Sequence, residues 1–562
     1  MKKFILSIFV ASFALTSCSD FFDVTANDTL LNDDHYKSTS NVFAAYSGLL
    51  TTIQNVAAYN IIINDLRSDV LTPTSGAPND YWEIFNFQAT NGNELVDPTP
   101  FYNIILNAND FLRKARIFKE NYSGYIEETY YEQLIGSAIA TRSWAYLQLG
   151  KIYGEAAYYD YSMTSDEVDL STIPVLSFDE LIDELIYFMI EGIDGISGIC
   201  RVDIPEMFSE EGDMGEYWRT MCISADALMM ELYMWRGDYT AAVTQGIRLI
   251  HGEGVYVYSD LDRYTLSDVY SMGAWDALFN LTVSSDITAA INDEALTYVR
   301  FDSSMGQENE LHYLFSLTYP NVYYIKPTDR LITLFRNSMY YGLDDDASLR
   351  LAPTDYRAGS ITYGREMGDT VLMKYHNNGR TAYDRDAPIY IYRASEIHLM
   401  IAEALVHLGS LEAASIFLND GLSSIYTGTA ASPFYTPCDA PIYDRAYLRE
   451  GMGVRGRVNA PAIDYLDEEF YYGVDTTDAT VYTERQTYVL DSLIAVESAL
   501  ELAGEGKRWF TLMRMARNLD EPSFLIDQIV QKYSEEEQMR YRVLLNDTDN
   551  WFIKYDLGLS NE

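Results

Sequence analysis

Two stretches of the chain align with each other: MELYMWRGDYTAAVTQGIRLI, from Met230 to Ile250, and AEALVHLGSLEAASIFLNDGL, from Ala402 to Leu422. Each sets a glycine, Gly237 or Gly409, between two runs of helical periodicity, and an alanine pair, Ala241-Ala242 or Ala413-Ala414, follows. Small residues at those points let two antiparallel helices approach closely, as in tetratricopeptide hairpins. The copies lie too far apart to form a tandem array, so the pattern points to scattered hairpins packed into one scaffold with long insertions between them. The alternative is two unrelated helix-turn-helix patterns that share small residues by chance.

The rest of the chain supports a mainly α fold. Apolar residues recur at three-to-four spacing, and long strand alternation is scarce. From Tyr130 to Tyr153 the apolar positions Tyr131, Leu134, Ile135, Ala138, Ala145, Leu149 and Ile152 share one face, which predicts a long amphipathic helix. Further helices are expected to begin near Asn41, Phe101, Phe178, Tyr217, Asp329, Tyr392, Arg485 and Lys507. Loops and a few short strands should fill about 71–100, 252–327, 340–388 and 425–484, and long loops on a rigid scaffold commonly carry binding.

The first residues, MKKFILSIFVASFALTSC, hold two lysines, an apolar stretch and small residues ending in Cys18, the pattern of a secretory signal. Leu15-Thr16-Ser17-Cys18 resembles the bacterial lipoprotein box, whose cysteine is acylated before cleavage; an ordinary secretory signal is the other reading. We expect residues 1–17 to be a signal peptide, Cys18 to carry lipid, and 18–562 to form one helical domain. No later apolar run is long enough to span a bilayer. Of the remaining cysteines, Cys200, Cys222 and Cys438, an odd one stays free, and spacing leaves a Cys200–Cys222 bridge open. All three are taken as core residues.

With 84 acidic against 39 basic residues, the formal charge is -45, which repels nucleic acid from most of the surface. A search for chemistry finds no HExxH, no GxSxG and no metal-type Cys/His cluster among six histidines. Asp344, Asp345 and Asp346 are consecutive, unlike the alternating oxygens of a calcium loop, and read as a solvated acidic turn. AGEGKRWFTLMRMAR, Ala503 to Arg517, looks like a phosphate loop, but Glu501 stands where that motif needs its first glycine and Arg508 where it needs a hydroxyl. The expected alternative is a break at Gly504–Gly506, then a helix with Trp509, Leu512, Met513 and Ala516 inward. Lys507, Arg508, Arg514 and Arg517 are then left to meet carboxylates such as Glu497 and Glu501.

Several separated segments together resemble the SusD/RagB family of nutrient-binding lipoproteins from Bacteroidota. They are SDFFDV after Cys18, NVFAAYSGLL (41–50), DLRSDV (65–70), ATRSWAYLQLGKIYGEAAYY (140–159), IYRASEIHLMIAEAL (391–405), LREGMGVRGRV (448–458) and Glu505 to Arg514. Ala156-Ala157 replaces the family's usual Val-Pro, Thr511 its usual Asp, and the tail lacks the customary Asn-Pro-Gly. The resemblance implies a SusD-like fold, a tetratricopeptide-like helical hairpin scaffold with long loop-rich insertions. It implies a lipid-anchored outer-membrane protein facing the cell exterior, the lid of a SusC-type TonB-dependent transporter, capturing oligosaccharide or oligopeptide. No catalytic residue, metal or cofactor is expected. The ligand-contact candidates are Tyr81, Trp82, Tyr319, Tyr323 and Tyr324, chosen as aromatics in presumed loops; their alternative role is packing. A surface glycoside hydrolase or peptidase, or a structural lid without its own ligand site, are the competing readings.

Overall fold

A computed structural model describes residues 36–163, 172–199, 218, 220–250, 279, 294–338, 355, 357, 362–375, 386–419, 453–458 and 460–556. Its helices, in chain order, are α1 (Thr39–Arg67), α2 (Asn79–Phe85), α3 (Thr99–Asn121), α4 (Glu128–Tyr153), α5 (Phe178–Glu191), α6 (Ala225–Arg236), α7 (Tyr239–Ile250), α8 (Glu310–Phe315) and α9 (Asp329–Ser338). They continue with α10 (Ala394–His407), α11 (Leu411–Leu418), α12 (Val454–Arg457), α13 (Ala479–Leu502), α14 (Arg508–Asn518), α15 (Pro522–Ile529) and α16 (Glu535–Leu545). The strands β1 (Leu71–Pro73), β2 (Glu155–Ala157), β3 (Val175–Ser177), β4 (Ala295–Val299), β5 (Ile325–Pro327), β6 (Tyr363–Glu366), β7 (Asp369–Leu372) and β8 (Ile389–Arg393) are short. They form antiparallel pairs β1–β5, β2–β3, β4–β8 and β6–β7 among the described residues. The fold is mainly helical.

Local chemistry sets the helix ends. Ser38 caps α1 by accepting from the Asn41 N–H, and Ser177 with Glu180 and Ser534 with Glu537 form capping boxes at α5 and α16. Gly154 closes α4 in the left-handed conformation. The start expected near Tyr217 lies outside the described residues, although Trp218 beside it is helical, and α6 begins at Ala225 behind the Ser224 cap. The span 71–100, expected to be irregular, contains α2, where Tyr81, Ile84 and Phe85 turn one face inward and Asn93 donates to the Asp80 carbonyl and the Glu83 carboxylate.

The two aligned stretches are helical hairpins. α6 and α7 turn at Gly237, α10 and α11 at Gly409, both with φ of 75°. Ala242, Ala413 and Ala414 are buried, while Ala241 is half-buried. The hairpins pack on each other: a Cβ added at Gly246 of α7 would lie 2.7 Å from Cγ1 of Ile401 in α10. One cluster of buried side chains runs from Tyr36 to Ile553. Cys222 belongs to it, its sulfur 3.3 Å from the Tyr46 hydroxyl, whereas Cys18, Cys200 and Cys438 lie outside the described residues.

The signature segments interlock in this interior. α13 ends, the chain turns through Gly504 and Gly506, both with positive φ, and α14 starts at Arg508 with Trp509, Leu512, Met513 and Ala516 buried. The expected pairing of Arg508 with Glu497 or Glu501 is wrong. Arg508 grips Asp69 with Nε at 2.7 Å and Nη2 at 3.1 Å, and Arg514 grips Glu403 with Nη2 at 2.6 Å. Lys507 pairs with Glu396 and Arg517 with Asp179. Glu497 and Glu501, one turn apart on α13, take cations from other elements. Arg357 reaches both, at 2.6 and 3.0 Å; Arg455 reaches Glu497, and Arg393 reaches Glu501, at 2.5 and 2.7 Å. Arg393 also binds Glu505 and Glu294, and Lys374 binds Glu505. Burial pushes Glu505 up, but Arg393 and Lys374 outweigh it and hold the carboxyl below its ordinary value. Asp65 differs: it accepts the Gly506 N–H, at 3.1 Å, forms no ion pair with the described residues, and burial raises its carboxyl to about 7.

Candidate functional site

The five aromatic candidates come from two segments far apart in sequence, and two of them, Tyr81 and Tyr324, meet. β1 pairs with β5 through Thr72 opposite Lys326, and the contact continues past the strand ends. Thr74 donates its N–H to the Tyr324 carbonyl at 2.8 Å and its hydroxyl to the Tyr323 carbonyl at 2.6 Å. This brings α2 beside residues 323–324, so that the Tyr81 and Tyr324 rings meet edge to face with centroids 5.6 Å apart. Tyr81 is nearly buried; burial first, then Glu310, raises its hydroxyl to about 12. Tyr323, held at a φ of 50°, donates its hydroxyl to the Thr370 carbonyl of β7 at 2.6 Å.

Trp82 and Tyr319 are not part of that contact. The half-buried Trp82 ring packs edge-on against Phe85 at 5.7 Å. Tyr319 stands out from the segment between α8 and β5, 85% exposed. Its exposure does not come from a loose support. Glu366 accepts from the Leu317 N–H at 2.7 Å, from the Ser316 hydroxyl and from the Thr318 hydroxyl. The Val322 N–H donates to the Tyr313 carbonyl. Next to Glu366, Met367 and Gly368 both take positive φ and close the β6–β7 hairpin, leaving Met367 77% exposed. Met367 was missed in the sequence, where nothing marks a lone methionine as a loop tip.

The surface thus combines a fixed, partly buried pair, Tyr81 and Tyr324, with an exposed ring and an exposed thioether on braced turns. Such a surface can stack on a flat apolar face and offer phenolic oxygens as hydrogen-bond partners. The far end of α2 is clasped from the other end of the chain. Tyr533 donates its hydroxyl to the Phe85 carbonyl at 2.6 Å, Tyr541 to Asn86 at 2.7 Å, and Asn91 exchanges two hydrogen bonds with the Asp556 backbone. Lys532 donates to the carbonyls of Leu66, Arg67 and Ser68 at the end of α1. Among the described residues no group of three or more His, Cys, Asp or Glu side chains could hold a metal, and no helix is long and apolar enough to cross a membrane. Cys18, Asp344, Asp345 and Asp346 lie outside the described residues.

Residues 348–557 match the model of the SusD family. A search of curated proteins gives no match. Among solved structures, a SusD superfamily protein from Bacteroides vulgatus is 13% identical, with 92% of this chain and 96% of that one covered and a TM-score of 0.59. One from Bacteroides thetaiotaomicron is 17% identical over 93% and 98%, with a TM-score of 0.57. A laminarin binding SusD-like protein is 15% identical over 89% and 95%, with a TM-score of 0.52.

Proposed function

The chain belongs to the SusD/RagB family, and from that premise we propose that it is a cell-surface nutrient-binding protein that captures a glycan. In this reading Cys18 carries the lipid anchor to the outer membrane, residues 1–17 are removed, and the protein covers a SusC-type TonB-dependent transporter to which it delivers its ligand. The observation that carries the binding role is the aromatic face built by the β1–β5 pairing, with Tyr81, Tyr323 and Tyr324 fixed and Tyr319 presented to solvent. A glycan is favoured over an oligopeptide because a solved structure with a similar fold is a laminarin binding protein.

Titration calorimetry of the purified protein against laminarin, other oligosaccharides and oligopeptides tests this directly. Saturable binding of a glycan that weakens in Tyr319→Ala is expected, and unaltered affinity there would remove that residue from the face; a loss in Trp82→Ala would add the half-buried Trp82 to it. Binding of peptides alone would replace the ligand class. Turnover of the bound polymer would revive a hydrolase, and binding seen only with the barrel present would favour a lid without its own site. Copurification with a TonB-dependent barrel is the test of the partner.

A further inference from the structure

Arg67 is the one cation of the DLRSD segment, and among the described residues its charge has no counterion. Asp65 is engaged with Gly506 and Asp69 with Arg508. The Arg67 side chain is 1% exposed and forms no ion pair with the described residues. Its Nη2 donates to the Trp551 carbonyl, while its Nη1 has no hydrogen-bond partner. Its guanidinium lies 4.3 Å from the Trp509 ring centroid and 5.8 Å from that of Phe87, which softens the burial of a cation without replacing a carboxylate. Burial pulls it below the ordinary arginine value, to about 9.

Arg67 also lines a cavity of about 170 Å³ between the end of α2 and residues 550–554. Cavities of about 150 Å³ hold a six-membered ring, so this one has room for a ligand of that size. Its wall carries Phe87 and Phe552, its mouth Gln88 and Lys554, and Asn550 stands beside them. Two cations and no carboxylate line it, on a chain with a formal charge of -45. An excess of positive charge is therefore built locally against the field of the whole molecule, around a buried donor that lacks an acceptor.

We propose that this cavity is a binding site for a small carboxylate on a ring of sugar size, with the acid drawn to Arg67 and Lys554, the ring against Phe87 and Phe552, and hydroxyls met by Gln88 and Asn550. The site is separate from the aromatic face, since none of Tyr81, Trp82, Tyr319, Tyr323 or Tyr324 lines it.

The test is titration calorimetry of the full chain in detergent with sodium glucuronate, glucose and sodium acetate. Glucuronate is expected to bind at least about tenfold more tightly than glucose. Acetate weaker than glucuronate is expected, since it lacks the ring, and acetate equal to glucuronate would overturn the ring's place against Phe87 and Phe552. Arg67→Met should abolish glucuronate binding. Because that change can also unsettle the Trp509 packing, Lys554→Glu at the exposed mouth provides the second variant, with about a tenfold loss at an unshifted melting temperature. Equal affinity for glucose and glucuronate, no binding of glucuronate, or a Lys554→Glu variant that binds it unchanged would each overturn the proposal. Since laminarin is neutral, failure here leaves the glycan reading of the aromatic face standing, and failure there leaves this one.

Discussion

Arg393 and Arg67 are both buried arginines in segments that identify the family, yet they are treated in opposite ways. Arg393 places its Nε and both terminal nitrogens on Glu294, Glu501 and Glu505 or on the Glu501 carbonyl. Burial disfavours its charge, and those carboxylates outweigh burial and hold it well above its ordinary value. Arg67 has aromatic rings and one carbonyl, and burial wins. The first arrangement is a closed structural network; the second is open on one side. Motif membership alone does not tell a scaffold residue from one poised toward a ligand. The completeness of its partners does.

The largest expected effect breaks the closed network. Arg393→Ala leaves three buried carboxylates short of a cation and should cost about 3–5 kcal/mol in chemical denaturation, with a shift too small to resolve counting against the network's integrity. Lys532→Met comes next. It strips the carbonyls of residues 66–68 of a shared donor, and a loss of about 1–3 kcal/mol is expected.

Asp65→Asn sharpens the comparison, because Asp65 is a carboxylate in the same interior that forms no ion pair with the described residues. Its folded value of about 7 lies above its unfolded value, so the wild type loses stability as pH rises from about 4 to 7. The asparagine variant, still able to accept from Gly506, should gain on the wild type across that window in thermal melts, and a pH-independent difference would contradict the assignment. The smallest stability effect belongs to the aromatic face: Tyr319→Ala should leave stability within about 0.5 kcal/mol while glycan affinity falls severalfold.

Much of the scaffold was legible in the sequence. Helix starts near Phe101, Phe178, Asp329 and Lys507 followed from three-to-four spacing, and both hairpins from a glycine and an alanine pair, because these signals act within one or two turns. The partners of α14 were not legible. The sequence offers Arg508 carboxylates nearby along the chain, such as Glu497 and Glu501, whereas its true partner Asp69 lies 439 residues away. Tyr81, Trp82, Tyr319, Tyr323 and Tyr324 were picked as loop aromatics, but that Tyr81 meets Tyr324 depends on two strands of three residues each, too short for any alternation to show their register. The Arg67 cavity left no trace, since its walls come from residues 67–90 and 550–554 and only the fold adds them together.

The clasp on α2 sets an order of events. Tyr533 and Tyr541 hold residues 85–86 across sequence separations of 448 and 455, and contacts that distant slow folding more than they limit stability. During synthesis α2 and its aromatics emerge long before the helices that fix them. The fixing of α2 therefore waits for the C-terminal helices, and a pulse-labelling experiment should find amides at 79–91 protected only after those of α3 and α4.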